Sequence, residues 1–234
     1  DLHLSLRRQR QMCIRDRLKP TVVERNRKNE FDQSLYPKFG SLGVLGQTVK
    51  THGGSGTSNL AYGLVAYEFE KIDSSYRSSI SVQSSLVIHP INEFGSQKQK
   101  DKYLPQLIKG EKIGCFGLTE SEAGSDPASM KTSFKKTKDG YILNGSKNWI
   151  TNAPIADIFI IWAIEENKDH KSIKGFIIEK NTEGLNTSTI ENKTSLKISP
   201  TGQIILNNVF IPNNLCLENT EGWKSVFSLS LIHI

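Results

Sequence analysis

A run of small and hydroxyl-bearing residues follows an apolar stretch near the middle of the chain, within Gly114–Ser129. The stretch Ile113–Leu118 is typical of a strand, and it leads into Thr119, two acidic residues and then Gly124-Ser125-Asp126-Pro127. Small residues let a ligand approach the backbone, where N–H and hydroxyl groups can donate to a pyrophosphate or a carbonyl. The alternative interpretation is a polar connection between two strands.

A second segment with possible chemistry is Asn148–Asn152, NWITN in one-letter code. Trp149 and Thr151 are two residues apart, so a regular strand would place both side chains on one face. The indole could then pack on a flat ring while the hydroxyl donates to a ring nitrogen. An aromatic core residue with a β-branched neighbour is the alternative.

A third candidate is Arg77, because it is the only arginine after residue 28, in a stretch that holds twenty lysines. The planar guanidinium can bind a carboxylate through two parallel hydrogen bonds, which an ammonium cannot do. Glu70 lies seven residues earlier, about two helical turns. A surface ion pair is the alternative.

Other common chemistries have little support in the sequence. The five histidines show no His-x-x-x-His or Glu-x-x-His spacing, so no metal site is predicted. His89 before Pro90 is interpreted as a helix-end residue, and Cys115 as a core residue of a strand. The sequence contains no Gly-x-Ser-x-Gly elbow and no Walker loop.

The residues from about 20 to 110 follow a helical pattern. Apolar residues recur at helical spacing at Ala61, Val65, Phe69 and Ile72. Ser58 or Asn59 is expected to cap this helix, and a second helix is expected to end at Ile88. Ser96 is expected to cap a third helix, Gln97–Ile108, which ends at Gly110.

The pattern changes to strands after Gly110. Tight turns at Asp139-Gly140 and Asn144-Gly145 would join three short strands, and further strand-like runs follow at Asp157–Ile164, Ile173–Glu179 and Gln203–Ile211. Helices first and strands second predict an α+β fold, with an all-helical domain before an antiparallel, barrel-like β-domain. This order argues against a Rossmann βαβ unit.

The positive charge of the chain is confined to its beginning. Residues 1–28 hold nine basic and three acidic groups, whereas the remaining 206 residues hold 21 of each. A neutral body gives no electrostatic reason to expect nucleic acid or a membrane surface as a partner.

No apolar run approaches the ~18 residues of a membrane-spanning helix. Three cysteines without a Cys-x-x-Cys pair favour a reducing compartment.

The amino-acid sequence at both ends of the chain differs in character from that of its body. Gln11–Arg17 and Ser228–Ile234 resemble translated sequencing-adaptor sequence, with a basic transit peptide as the alternative for the first. We therefore expect residues 1–17 and 228–234 to lie outside the fold. The predicted units are residues 18–110, the helical domain; 111–218, the β-domain; and 219–234, a truncated start of another helical domain.

Together, Gly114–Asp126 and Lys147–Asn152 resemble the flavin-binding signature of the acyl-CoA dehydrogenase family, and Lys102–Gly110 and Gly175–Gly184 are also similar. The resemblance implies FAD as cofactor. It assigns nine residues to the flavin site: Phe116, Gly117, Leu118, Thr119, Gly124, Ser125, Trp149, Ile150 and Thr151. Within the family, Glu68–Pro90 resembles glutaryl-CoA dehydrogenases. This implies Glu70, Arg77, Ser78 and Ser125 as substrate-binding residues, with Glu70 as the residue that orients Arg77.

The resemblance also implies a reaction and partners. The family's enzymes abstract an α-proton from an acyl-CoA, pass a β-hydride to flavin and reduce electron-transfer flavoprotein; glutaryl-CoA also loses CO2. They act as tetramers, in the cytoplasm of bacteria or the mitochondrial matrix. The family's C-terminal helical domain, which carries the catalytic Glu, is expected to be missing, so no residue is assigned as the base and this chain alone is expected to be inactive. An acyl-CoA oxidase and a non-catalytic flavin or acyl-CoA binding module remain alternatives.

Overall fold

The first half of the chain is helical in a computed structural model, which describes residues 15–168, 172–220 and 222–229. Residues 15–18 are helical and are followed by α1 (Val22–Lys28), α2 (Leu35–Ser41), α3 (Asn59–Glu70), α4 (Ser74–Ser81), a π-helical segment (Val82–Ile88), α5 (His89–Phe94) and α6 (Gln97–Ile108).

Local capping signals position these helices. The Ser58 hydroxyl accepts a hydrogen bond from the Ala61 N–H, as expected for the start of α3. Ser96 and Gln99 form a reciprocal capping box at the start of α6. Gly110 follows α6 with a φ of 71°, a conformation that favours glycine. These three predictions are confirmed.

The expected helix end before His89-Pro90 is wrong. α4, the π-helical segment and α5 follow one another without a gap from Ser74 to Phe94. At the junction the His89 N–H bonds to the Ser84 carbonyl five residues earlier, the spacing of a π-turn. Pro90 then lies in the first turn of α5, directly after this wider π-helical turn.

The second half of the chain is a seven-stranded sheet. Its strands are β1 (Gly114–Gly117), β2 (Ser133–Lys136), β3 (Gly140–Thr151), β4 (Ile158–Glu165), β5 (Ile173–Glu179), β6 (Leu185–Thr189) and β7 (Thr201–Pro212), and helix α7 (Gly222–Ser228) follows. The strand order is β1-β4-β2-β3-β7-β6, with β5 paired to β4. A helical domain followed by a curled sheet confirms the predicted α+β class.

The sheet is mixed rather than purely antiparallel. β4 pairs in parallel with β1 and β2, whereas the β2–β3, β3–β7, β4–β5 and β6–β7 pairs are antiparallel. Parallel pairing follows because the β2–β3 hairpin intervenes between β1 and β4. The chain therefore re-enters the sheet beside β1 in the same direction.

The second predicted tight turn is continuous strand opposite a bulge of β7 instead. Asn144-Gly145 lies inside β3, where the register against β7 shifts between Leu143 and Gly145. A second shift follows between Lys147 and Ile150, around Trp149, which has a φ of 60°. At Asn144-Gly145 the extra residue is on the partner strand, because β3 advances by two residues while β7 advances by three, from Val209 to Leu206, and Asn208 has a φ of 51°. The predicted turn at Asp139-Gly140 does join β2 to β3.

The helices and the sheet share one apolar core. The largest buried cluster contains residues of α2, α4, α6 and the π-helical segment together with Ile158, Ile160 and Ile177 of the sheet. The predicted change of structure after residue 110 falls between α6 and β1. The boundaries of functional domains remain predictions.

Gln83 joins the two layers through hydrogen bonds. Its amide nitrogen donates to the carbonyls of Leu107 and Lys112, at 3.0 and 2.9 Å, and its oxygen accepts from the Gly114 N–H at 2.8 Å. Gly114 must be small here, because an added Cβ would lie 2.4 Å from a methyl carbon of Val87. The first residue of β1 is thus fixed directly against the π-helical segment.

The burial of residues near both ends can be compared with the prediction that residues 1–17 and 228–234 lie outside the fold. Leu18 is buried, whereas Arg15–Arg17 are exposed; residues 1–14 and 230–234 lie outside the described residues. Leu229, which was expected to lie outside the fold, is 3% exposed and packs in a cluster with Trp162 and Val226. The structure departs from the prediction at this residue.

Replacing Gln83 with Met should lower the free energy of unfolding by about 3 kcal/mol, since three buried backbone groups would lose their partners. Urea denaturation followed by circular dichroism measures this change. Gln97→Met, at an exposed glutamine at the start of α6, is the matched control and should change stability by less than about 0.5 kcal/mol. Equal stability of the two variants would contradict the assigned role of Gln83.

Candidate functional site

The structure brings the two predicted flavin segments together. The Asn148 N–H donates to the Thr119 carbonyl at 2.9 Å, and the Asn148 side-chain amide donates to the Ser121 hydroxyl at 3.2 Å. The Lys147 ammonium donates to the Leu118 carbonyl at 3.0 Å. The end of β1 and the second half of β3 therefore form one local unit, although about 30 residues separate them in sequence.

A buried ion pair lies beneath this unit. Lys147 Nζ is 2.8 Å from Glu120 Oε1, and the two side chains are 0% and 9% exposed. The Glu120 carboxylate also accepts the N–H groups of Lys131, at 2.7 Å, and Thr132, at 3.0 Å. Glu120 thereby ties β3 to the far end of the loop that begins at its own position.

Burial perturbs both members of this pair. Burial lowers the pKa of Lys147 to about 8, and the attraction of Glu120 opposes that shift. Burial alone would raise the pKa of Glu120, but the Lys147 charge and the donated hydrogen bonds outweigh it and hold the pKa below its ordinary value. Because every oxygen and the ammonium have close partners, we assign the charged form to both groups at neutral pH.

The loop after Glu120 presents small residues to solvent. Glu120 and Ala123 exchange two backbone hydrogen bonds of 3.2 Å, which close a tight turn. Gly124 and Ser125 beyond it are exposed, and a Cβ built at Gly124 would meet no atom within 4 Å. This open backbone can be approached by a ligand, as the sequence predicted for a binding loop.

Trp149 is an exposed aromatic side chain, not a core residue. It is 59% exposed, whereas the next residue, Ile150, is 3% exposed. Thr151 is partly exposed and pairs with Thr201 of β7. The bulge turns the indole outward, so the core interpretation of Trp149 is wrong. Ile150 faces the core and could offer only backbone atoms to a ligand.

Three consecutive residues at the end of β1 and just after it, Phe116, Gly117 and Leu118, face different surroundings. Phe116 is partly buried and lies 6.4 Å from Trp162, measured between ring centroids. Gly117 faces the other side, where an added Cβ would lie 2.5 Å from Ile161 and 3.2 Å from the Lys147 side chain. Leu118 is partly buried against the cluster that holds Trp162. Glycine at position 117 therefore makes room for the buried lysine.

A separate pocket of about 570 Å³ opens between α3, the start of the π-helical segment and α7, and Arg77 lines it. Arg77 Nε donates to Glu70 Oε2 at 2.8 Å, and the Ser74 hydroxyl donates to the other oxygen of Glu70. The hydrogen bonds to Ser74 and Arg77 lower the pKa of Glu70. The predicted orientation of Arg77 by Glu70 is thus present in the geometry.

Several polar residues of this pocket were not identified from the sequence. They are Gln47, Thr48, Asn59, Tyr62, Ser81, Ser84, Ser85 and His89. The Tyr62 hydroxyl and the Ser85 hydroxyl lie 2.9 Å apart, and Ser84 accepts the Gly46 N–H at 3.1 Å. For Ser81, Ser84 and Ser85, the i, i+3 and i+4 spacing is the sequence signal that could have identified these three serines.

Two further findings concern predicted residues near this pocket. Ser78, predicted to bind substrate beside Arg77, is partly buried but is not one of the residues that line the pocket. His89 does line it, and burial lowers its pKa while Glu93 opposes the shift. Ser228 and Leu229, which were predicted to be foreign, also contribute to the wall.

Metal binding and membrane insertion have no structural signal in residues 15–168, 172–220 and 222–229. These residues include no group of three or more His, Cys, Asp or Glu side chains placed to hold a metal ion. No helix within the same ranges has the length and apolar character needed to cross a membrane.

Comparison with known families and proteins gives consistent matches. The acyl-CoA dehydrogenase N-terminal domain matches residues 1–111, and the acyl-CoA dehydrogenase middle domain matches residues 115–209. A short-chain specific acyl-CoA dehydrogenase of Megasphaera elsdenii is 38% identical over 215 residues, which are 89% of this chain and 56% of that protein.

Solved structures give the same result. A glutaryl-CoA dehydrogenase from Mycobacterium smegmatis in complex with FADH2 superposes with a TM-score of 0.92 at 38% identity, covering 96% of this chain and 57% of that one. A glutaryl-CoA complex of a glutaryl-coenzyme A dehydrogenase gives 0.89 at 30% identity, covering 97% and 59%.

The extent of these matches decides what they establish. The two family matches together account for most of the chain, while the chain spans less than two thirds of the length of the relatives it matches. The matched regions include the helical layer and all but the ends of the curled sheet, together with nearly all of the two adjoining segments. The chain belongs to the acyl-CoA dehydrogenase family.

Proposed function

We propose that this chain supplies the flavin-binding loop and part of the acyl pocket of an FAD-dependent acyl-CoA dehydrogenase, and that the substrate of the whole protein is glutaryl-CoA. The observation that carries the substrate is Arg77, held by Glu70 at the wall of the pocket. The likeness to two glutaryl-CoA dehydrogenase structures supports the same choice.

The residues of the two joined segments fit a flavin. When bound, FAD supplies a two-electron acceptor for oxidation of the acyl thioester. The exposed indole of Trp149 offers a flat surface for an aromatic ring, and Thr151 is partly exposed two residues away. The open backbone at Gly124 and the exposed Ser125 suit a polar ligand group. We propose that the remaining flavin contacts come from Phe116, Gly117, Leu118, Thr119 and the Ile150 backbone.

Arg77 would set the preference for a dicarboxylic acyl chain. Its Nε is engaged by Glu70, so the terminal nitrogens of the guanidinium remain for a carboxylate of the substrate. Serine and tyrosine hydroxyls line the same pocket and can donate to that carboxylate. We propose Ser78 and Ser125 as further substrate contacts, the first beside Arg77 and the second at the flavin loop.

No described carboxylate is proposed as the base that removes the α-proton. Glu120 is buried and accepts three hydrogen bonds, so it has no capacity to take a proton from substrate without losing its partners. Glu122 is exposed and paired with Lys131. The residues of this chain would therefore bind and orient the reactants.

The partners follow from the proposed reaction. We propose that the whole protein transfers electrons to electron-transfer flavoprotein and assembles as a homotetramer. Its compartment would be the bacterial cytoplasm or the mitochondrial matrix.

Arg77→Met in the whole enzyme should lower kcat/KM for glutaryl-CoA several hundredfold, because a desolvated carboxylate without its partner is destabilised by ~3–5 kcal/mol. The value for butyryl-CoA should stay the same or rise. Steady-state kinetics with both substrates measure the difference. Lys71→Met, at an exposed lysine near the end of α3, removes the same charge and should change neither value. Equal losses on both substrates would make Arg77 a structural residue.

Trp149→Ala should weaken FAD binding by this chain about fivefold, the effect of losing roughly 1 kcal/mol of aromatic packing. Titration with FAD, followed by flavin fluorescence anisotropy, gives the Kd. Tyr67→Ala removes another exposed aromatic side chain, on α3, and serves as the control. The proposed flavin role of Trp149 is rejected if both variants bind FAD as the unmodified chain does.

A further inference from the structure

We infer that the buried pair Glu120–Lys147 is the positioning device of the flavin site: it fixes the loop and the bulge of β3 in the relative placement that a flavin requires. The inference rests on the proposed flavin function. Neither residue is assigned to contact the flavin, and both act through the segments they hold.

The pair connects three separate parts of the backbone. Lys147 Nζ reaches the Leu118 carbonyl at the end of β1 and Glu120 Oε1 at the start of the loop, at 3.0 and 2.8 Å. The Glu120 carboxylate also holds the N–H groups of Lys131 and Thr132, where the loop ends. One ion pair thereby closes the loop between residues 120 and 131 and attaches it to β3.

The connection lies directly beside the proposed flavin contacts. Lys147 precedes Asn148, which bonds to Thr119 and Ser121, and it is two residues before the outward-facing Trp149. The register shift between Lys147 and Ile150 means that regular pairing with β7 does not hold Trp149 in place. On the loop side Trp149 is held through its neighbours, by the Lys147 ammonium and by the hydrogen bonds of Asn148.

Because the Glu120–Lys147 pair is buried, it favours one placement of the loop against β3. A buried charge that loses its partner is strongly destabilised, so displacement of the loop from β3 is opposed. A second ion pair in the same loop, Glu122–Lys131, is 73% and 77% exposed and ties no second strand to it. Exposed pairs contribute little, so of these two ion pairs the buried one is the one that can hold the loop.

The chemistry of Glu120 allows a sharp substitution. In Glu120→Gln, one carboxylate oxygen becomes an NH2 group, which faces a backbone N–H donor of Lys131 or Thr132 instead of accepting from it. Lys147→Met removes the ammonium but leaves those two hydrogen bonds intact. Glu122→Gln makes the same chemical change as Glu120→Gln two positions away and is the matched control.

The test is an FAD titration of the unmodified chain and the three variants at 10 °C, followed by flavin fluorescence anisotropy. Circular dichroism verifies that each variant is folded, and hydrogen exchange of the chain without FAD reports on the amides of residues 119–132 and 147–150. We expect Kd to rise at least tenfold for Glu120→Gln and Lys147→Met, with faster exchange in both segments. Glu122→Gln should match the unmodified chain in both measurements.

The outcomes separate this inference from the proposed function. The titration is repeated with the whole protein, and the variants are compared in it if it alone binds FAD. If neither the unmodified chain nor the whole protein binds FAD, the proposed function fails and the inference fails with it. If the unmodified chain binds and the two buried-pair variants bind equally well, only the inference is overturned. Global unfolding of both variants would also overturn it, since the pair would then determine the fold rather than the loop position.

Discussion

The contact between β1 and the π-helical segment is the constraint on which both candidate sites depend. Gly114 lies so close to Val87 that no side chain fits, and Gln83 binds the Gly114 N–H from within the helical layer. β1 runs directly from this contact into the proposed flavin loop. The π-helical segment continues from α4, which carries Arg77. The two sites are therefore placed relative to one another by a single interface between helix and sheet.

Short-range signals were sufficient to predict the parts of the fold that depend on neighbours in sequence. A hydroxyl that accepts an N–H three residues later defines the start of α3 and of α6; the sequence predicted Ser96 for α6 and left Ser58 and Asn59 as the two candidates for α3. The parallel pairing of β4 with β1 was not predictable in this way, because it depends on where the β2–β3 hairpin leaves an open edge. A π-turn before Pro90 took the place of the predicted helix end, and continuous strand opposite a bulge of β7 took the place of the predicted turn at Asn144-Gly145.

The candidate site shows the same difference between features that depend on neighbours in sequence and features that depend on tertiary contacts. The residue types at Arg77 and Glu70 were identified from composition and spacing, yet the expected geometry differs from the structure. Glu70 ends α3, whereas Arg77 lies in α4, and a short non-helical segment ending at Asp73, which caps α4, separates the two helices. Their 2.8 Å hydrogen bond is thus a tertiary contact rather than a consequence of helical periodicity. Trp149 shows the opposite case, since strand periodicity was assumed and a bulge determines where the indole points.

The two ion pairs of the chain's candidate sites differ in a way that suits different tasks. Arg77 and Glu70 are 37% and 43% exposed, so water screens their attraction and the pair alone contributes little to stability. Such a guanidinium stays available, and its interaction strengthens only when a substrate carboxylate displaces water from the pocket. Lys147 and Glu120 are shielded from water at all times, so their attraction is strong whether or not a ligand is present. An exposed pair can therefore discriminate between substrates, while a buried pair can only hold a structure in place. The difference in burial thus supports the two roles proposed above, substrate selection for Arg77 and positioning for Lys147.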